Sequence, residues 1–256
     1  MTFSYTALHL VFTNHQPRGD VSNFLRGQLG AALHADAVNY ARIFDPPRNL
    51  TAPSGFRDPL RPFVLRASDP DRFTLHLFDE TIAGVIVEAW KPVSHYIHHH
   101  EIDLNPHPLP PGQLEVRFVS PTDIRTETPD FGTLFARARD RVSGVCSSFQ
   151  SGPLAIDHKA LGEAARSVEL VESQLTIMKR SRRSAASGQT HPLSGFTGRA
   201  LYQGDFTDFY PILCAAQFTG VGRKTVWGNG QIEIRILRSG ILGKTVPTAQ
   251  FPINQS

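Results

Sequence analysis

The chain passes twice through one order of elements, and a proline-rich seam separates the two passes. In the first pass, residues 4–13 alternate and set Leu8, Leu10 and Phe12 on one face, which predicts a strand. Asp20 stands where an N-cap belongs, ahead of a stripe of Val21, Phe24, Leu25, Leu29, Ala32 and Leu33. A loop holding Pro46, Pro47, Pro53 and Pro59 leads to two short strands, 62–67 and 72–78. A helix over 80–90 and a strand near 96–104 complete β-α-β-β-α-β. Residues 105–112 then carry Pro106, Pro108, Pro110 and Pro111, four prolines in eight residues, as a semi-rigid linker has.

The second pass repeats the first. Residues 113–120 read as a strand with Leu114, Val116 and Phe118 on one face, and Phe131, Leu134, Phe135, Ala138 and Val142 draw a helical stripe behind Asp130. Strands over 167–178 and 193–202 flank a basic loop at 179–189. A helix over 208–218 keeps Pro211 in its first turn, where a missing N–H costs nothing, and a strand at 231–237 closes the unit. Two such halves predict an α+β protein of two tandem ferredoxin-like domains, 1–108 and 109–256, each with an antiparallel sheet covered on one face by helices. The pattern alone does not assign a function.

Charge narrows the partners. From residue 173 to 204 there is no acid, while Lys179, Arg180, Arg182, Arg183 and Arg199 supply five cations. A second acid-free stretch, 209–232, holds Arg223 and Lys224. Formal net charge is only +3, so this clustering favours a polyanion partner more than the total does. The longest apolar runs fall short of the roughly 20 residues that span a bilayer, so no membrane partner is expected. Residues 1–5 lack the positive start of a signal peptide, and two cysteines, Cys146 and Cys214, make neither a disulfide framework nor a metal pair. A reducing cytoplasm is the expected compartment.

Between the last helix and last strand lies Gly220-Val221-Gly222-Arg223-Lys224-Thr225-Val226-Trp227-Gly228-Asn229-Gly230. Two Gly-x-Gly pairs bracket two cations. Glycine admits positive φ and close approach of another backbone. The spacing fits neither the dinucleotide fingerprint nor the P-loop. It reads either as a tight helix-to-strand turn or as a cradle of N–H groups for a phosphate-bearing ligand.

Several segments together resemble a known family. They are Leu193-Ser194-Gly195-Phe196-Thr197-Gly198, Gly204-Asp205-Phe206, Phe209-Tyr210-Pro211-Ile212-Leu213 and the glycine loop. Leu25-Arg26-Gly27-Gln28-Leu29-Gly30, Tyr40-Ala41-Arg42-Ile43-Phe44-Asp45-Pro46 and Arg117-Phe118-Val119-Ser120-Pro121-Thr122 add to the match. The pattern is similar to that of the CRISPR repeat-processing endoribonucleases of the RAMP superfamily. The resemblance implies paired ferredoxin-like domains and cutting of precursor CRISPR RNA within its repeat. It also implies a metal-free attack of a 2′-hydroxyl on the adjacent phosphate, with no cofactor. Repeat RNA is the implied partner, other effector subunits are further candidates, and the alternative is a catalytically silent RNA-binding subunit of an effector complex.

That chemistry wants a base near neutral pH and donors aimed at the phosphate. In the resembled family a histidine near the first helix commonly serves, helped by an aromatic hydroxyl or a lysine. Here His34 ends the first helical stripe and Tyr40 follows in the predicted loop, which makes them the candidate catalytic pair. The chain departs from many relatives in carrying Ala31 and Ala32 after Gly30 and no cysteines over 35–39. For RNA contact the candidates are Lys179, Arg180, Arg182, Arg183 and His191 around the basic loop. Gly220, Gly222, Arg223, Lys224, Thr225, Gly228 and Gly230 are the candidates in the glycine loop. Phosphate contacts of this kind give affinity rather than sequence preference. His95, His98, His99 and His100 read as a solvated rim between helix and strand, with RNA contact or metal as the other options. On an extended strand at most two of the consecutive three share a face.

Overall fold

The computed structural model describes residues 1–17, 20–46, 60–67, 69–179, 181–183 and 190–237. The first unit contains β1 (Thr2–Val11), α1 (Val21–Ala32), α2 (Ala37–Phe44), β2 (Phe63–Arg66), β3 (Arg72–Leu77), α3 (Ile82–Trp90) and β4 (Ser94–Asp103). Its sheet has the order β2-β3-β1-β4, with antiparallel pairing between all neighbours. Leu8 lies opposite Leu75 and Leu10 opposite Phe73. Together with Phe12 they bury against Leu25, Leu29 and Leu33 of α1 and its end, and against Ile82 and Ile86 of α3. The Asp20 side chain accepts from the Asn23 N–H at 2.9 Å, so the predicted cap is made.

The second unit contains β5 (Gly112–Thr122), α4 (Phe131–Phe149), α5 (His158–Ala165), β6 (Glu169–Met178), β7 (Ser181–Arg183), β8 (Thr190–Pro192), β9 (Gly195–Gly204), α6 (Tyr210–Thr219), one 3-10 turn (Thr225–Trp227) and β10 (Ile232–Leu237). Its sheet order, β10-β5-β9-β6, repeats the first when the strands are counted within the unit. Both sheets are thus ferredoxin-like, with the first and third strands central. Leu114, Val116, Phe118, Ala200, Tyr202 and Ile232 form one core with Phe131, Phe135, Ala138 and Val142. The buried Tyr202 hydroxyl donates to the Pro129 carbonyl at 2.6 Å, which satisfies the one polar atom that ring brings inside.

Four elements differ from the sequence expectation. Residues 37–44 form α2 rather than a loop, because Asp36 caps the Asn39 N–H at 3.0 Å and Ile43 and Phe44 bury. Residues 158–165 form α5 behind the Asp157 cap. The basic loop contains a short hairpin, β7 with β8. His95, His98, His99 and His100 lie within β4, an edge strand paired along the whole of β1; all but His100 are exposed, so they are solvated as expected but sit in a ladder and not between helix and strand. Here a ladder of ten partners overrides the weak strand signal of consecutive histidines.

The first sheet is also not covered on one face only. β1 carries apolar residues at both parities, and Phe3, Tyr5 and Ala7 join Val64 in the core of the second unit. What covers them is α6, seven of whose ten residues are buried, as befits a helix apolar all round. Phe218 stacks on Tyr5 with ring centroids 4.3 Å apart. The last carbonyls of α6 meet donors from both units. Arg66 donates to Gln217 at 3.2 Å, a ring nitrogen of His76 lies 3.3 Å from the Phe218 oxygen, and Arg141 donates to Thr219 at 2.7 Å. Cationic and imidazole donors suit the negative end of a helix. This junction fixes where the glycine loop, which starts at the next residue, leaves the helix.

Candidate functional site

His34 and Tyr40 come together at the corner between α1 and α2. Their rings meet edge to face with centroids 6.1 Å apart. His34 is exposed and Tyr40 is 37% exposed, so both can reach a solvent-borne ligand. Tyr40 belongs to α2, a correction to its expected loop position. Its ring also packs on Phe44 at 5.1 Å, and α2 is tied to the start of α3 by Arg42, which donates to Asp79 at 2.6 Å and to the Thr81 hydroxyl. Tyr40 therefore stands on a braced helix while His34 stands on the turn before it.

The glycine loop has a tighter construction than a phosphate cradle needs. Val221 N–H donates to the Gly230 carbonyl at 2.8 Å, Gly230 N–H to Pro121 at 3.0 Å, and Arg223 N–H to Asp123 at 3.0 Å. The loop is thereby closed on itself and on the end of β5. Gly222 has φ +79, and a Cβ there would collide with the Asp123 carbonyl oxygen. Gly230 has φ +73, and a Cβ there would collide with the Val221 carbonyl. The close approach that these glycines permit is to the protein's own backbone. Arg223 pairs with Asp123 at 2.6 Å and Lys224 with the same carboxylate at 3.6 Å. Two cations share one anion, which leaves the trio one net positive charge. Thr225 is buried at the head of the 3-10 turn.

That turn is where the loop meets the first unit. The Arg26 guanidinium carbon sits 3.5 Å from the Trp227 ring centroid and 5.1 Å from that of Phe44. A Cβ on Gly228 would lie 2.6 Å from the Ser22 hydroxyl, so the loop presses directly on α1. Sequence reasoning missed Ser22, Arg26, Asp123 and Trp227. An arginine within an amphipathic helix and a tryptophan between glycines give no sign that they are partners, since only the docking of the two units brings them together.

The basic candidates are placed in part. Lys179 follows β6, and Arg182 lies opposite His191 in the register of β7 with β8, with Arg183 opposite Thr190. Five candidates spread through the sequence from 179 to 191 thus include two brought to one register position. Arg180 lies outside the described residues, as do 184–189. Arg199 sits elsewhere, on β9, paired with Glu115 at 3.7 Å and Glu172 at 3.4 Å.

The histidines of β4 divide by strand parity. His98 and His100 lie opposite Ala7 and Tyr5, and His99 lies opposite Thr6. His100 stacks on Tyr5 at 4.7 Å, His98 meets His9 at 5.5 Å, and His99 approaches the Thr6 hydroxyl at 3.0 Å. Burial, then its imidazole neighbours, holds His100 below the ordinary histidine range, and burial followed by His98 does the same to His9. His76, between them and α6, is pushed down to about 3 by burial and next by Arg66. Among the described residues, no three His, Cys, Asp or Glu side chains converge as metal ligands. None of the described helices is long and apolar enough to cross a membrane.

Residues 116–232 match the family model of the CRISPR-associated endoribonuclease Cas6. Among solved structures, a Cas6 product complex is 17% identical with a TM-score of 0.61, over 90% of this chain and 98% of that one. Thermus thermophilus Cas6 is 18% identical with a TM-score of 0.55, over 92% and 99%. A partial Cas6-RT-Cas1–Cas2 complex is 11% identical with a TM-score of 0.54, over 99% of this chain and 48% of that one. No curated protein matches the sequence. Residues 116–232 thus match the Cas6 family model, and the described residues share the fold of solved Cas6 structures.

Proposed function

We propose that this Cas6-type chain is a metal-independent endoribonuclease that cuts precursor CRISPR RNA within the repeat. The observation that carries the reading is the exposed His34–Tyr40 pair, 6.1 Å apart, in a chain whose residues 116–232 match that family. The His34 imidazole takes the proton of the 2′-hydroxyl, and the 2′-oxygen attacks the adjacent phosphorus. The bond from phosphorus to the 5′-oxygen breaks, and the leaving oxygen takes a proton from the Tyr40 hydroxyl. The product ends in a 2′,3′-cyclic phosphate. An internal nucleophile of this kind needs no metal-activated water.

The units 1–108 and 109–256 divide the work, the first cutting and the second holding. Lys179, Arg180, Arg182, Arg183 and His191 neutralise phosphates from the hairpin of β7 and β8 and the segments beside it. The glycine loop contributes the net charge of Arg223, Lys224 and Asp123. Its glycines and Thr225 hold the loop's shape. Other CRISPR proteins are proposed partners, since a Cas6-RT-Cas1–Cas2 complex contains the same fold.

The test is incubation of the purified protein with its cognate repeat RNA. Cleavage should persist with a chelator, and RNA carrying 2′-deoxyribose at the cut site should stay whole. Binding without cleavage would favour a silent RNA-holding subunit, and chelator-sensitive cleavage restored by magnesium would overturn the mechanism.

A further inference from the structure

The glycine loop belongs to the second unit by its hydrogen bonds, yet its tip is built into the first. Val221, Arg223 and Gly230 fasten it to its own strands and to the end of β5. Trp227 lies across the Arg26 guanidinium at 3.5 Å, close enough for a strong attraction between cation and ring face. Arg26 reaches Phe44 at 5.1 Å, Phe44 packs on Tyr40 at 5.1 Å, and Tyr40 meets His34 at 6.1 Å. Phe44 is buried and is further fixed by Phe63 at 5.8 Å. An unbroken series of side chains therefore runs from the loop of the RNA-holding unit to both residues of the candidate reacting pair. Neither Trp227 nor Arg26 is part of that pair.

We infer that Trp227 is a positioning residue: by stacking on Arg26 it fixes the corner of α1 and α2, and with it His34 and Tyr40, relative to RNA held by the second unit. The inference rests on the reading of His34 and Tyr40 as the reacting pair. In-line attack demands reactants held within narrow limits, and a displacement of about 1 Å costs on the order of 100-fold in rate. A second unit that grips RNA gains nothing for cleavage unless its position is transmitted to the first. Beside the contact of Gly228 with Ser22, the stack is the directional one, because a guanidinium on an indole face is set in height and tilt, whereas general apolar contact is not.

Four substitutions separate the stack from mere packing. Trp227→Leu and Arg26→Gln remove the ring face or the cation while keeping an apolar or unbranched-stem side chain in place. Trp227→Phe keeps a smaller ring face, and Arg26→Lys keeps the charge without the planar guanidinium. Three quantities are measured on the full chain. They are repeat-RNA affinity, single-turnover cleavage at saturating protein, and the 19F resonance of 3-fluorotyrosine at Tyr40, assigned with Tyr40→Phe. Trp227→Leu and Arg26→Gln should slow cleavage by about 10- to 100-fold while affinity stays within about twofold. The Tyr40 resonance should shift or broaden in the same two variants. Trp227→Phe should retain most of the rate and leave the resonance near its wild-type position, and Arg26→Lys, which keeps the charge without the planar stack, should fall between Arg26→Gln and wild type.

Unchanged cleavage at saturation, or a loss matched entirely by affinity, would overturn the inference. The 19F measurement decides it even if the wild-type chain cuts no RNA. In that case the proposed function fails, a moved Tyr40 resonance still supports the coupling, and an unmoved one overturns it.

Discussion

Acid should unfasten the junction between the two sheets through His76. Its imidazole is half-buried beside Arg66, and a ring nitrogen stays 3.3 Å from the Phe218 carbonyl at the end of α6. Burial first, then Arg66, His9 and His100, hold its pKa down to about 3, against about 6.5 in an unfolded chain. Above pH 6.5 the ring is neutral in both states and contributes no pH dependence. Between pH 6.5 and pH 3 the unfolded chain binds a proton that the folded chain refuses, so stability falls as the pH falls. One pKa unit is worth about 1.4 kcal/mol, so lowering the pH from 7 to 5 should remove about 2 kcal/mol through this residue. The lowered pKa values of His9 and His100 add to the loss in the same direction. The assay is urea unfolding of the wild type and His76→Gln at pH 7, 6 and 5. Glutamine keeps an N–H for the Phe218 carbonyl but does not titrate. The difference between the two proteins should shrink by about 2 kcal/mol from pH 7 to pH 5. Parallel pH profiles would mean that His76 accepts its proton in the folded state, and the account of the junction would be wrong.

Three further outcomes are expected. His34→Ala should lower single-turnover cleavage by roughly 10²- to 10⁴-fold with RNA affinity nearly unchanged, and a rate within a few-fold of wild type would remove His34 from the mechanism. Replacing both Arg182 and Arg183 by alanine should weaken binding across many RNA sequences and flatten its salt dependence by roughly one unit per lost phosphate contact, measured by salt titration of affinity. Gly222→Ala, at φ +79 and facing the Asp123 carbonyl, should destabilise the protein by about 1–3 kcal/mol in thermal or urea unfolding, and an unchanged midpoint would show that the loop relaxes freely.

Both ferredoxin-like sheets were legible in the sequence because each core face follows strand or helix period. Leu8, Leu10 and Phe12 at one parity, and Leu25, Leu29 and Leu33 on one stripe, report burial within a unit. Two short helices were not legible. α2 and α5 have eight residues each, and each depends on one aspartate cap, Asp36 and Asp157, that serves equally well in a turn. The pairing of the candidate site was half legible. His34 and Tyr40 were placed near each other by sequence distance and family likeness, but the brace from Arg42 to Asp79 is a contact between residues far apart in the chain.

The glycine loop shows why the remainder was out of reach. A glycine required for close approach records that something occupies the place of its side chain, and the sequence holds no record of what does. At Gly222 the occupant is the Asp123 carbonyl, and at Gly230 it is that of Val221. At Gly228 it is Ser22 of the other unit. The same holds for the two cations. Arg223 and Lys224 lie in an acid-free stretch of sequence, but folding brings Asp123 to 2.6 and 3.6 Å from them. Local charge counts predict a polyanion site only where no distant carboxylate is folded into it. With Asp123 behind it and Arg26 and Ser22 across from it, the glycine loop is a joint between the two units.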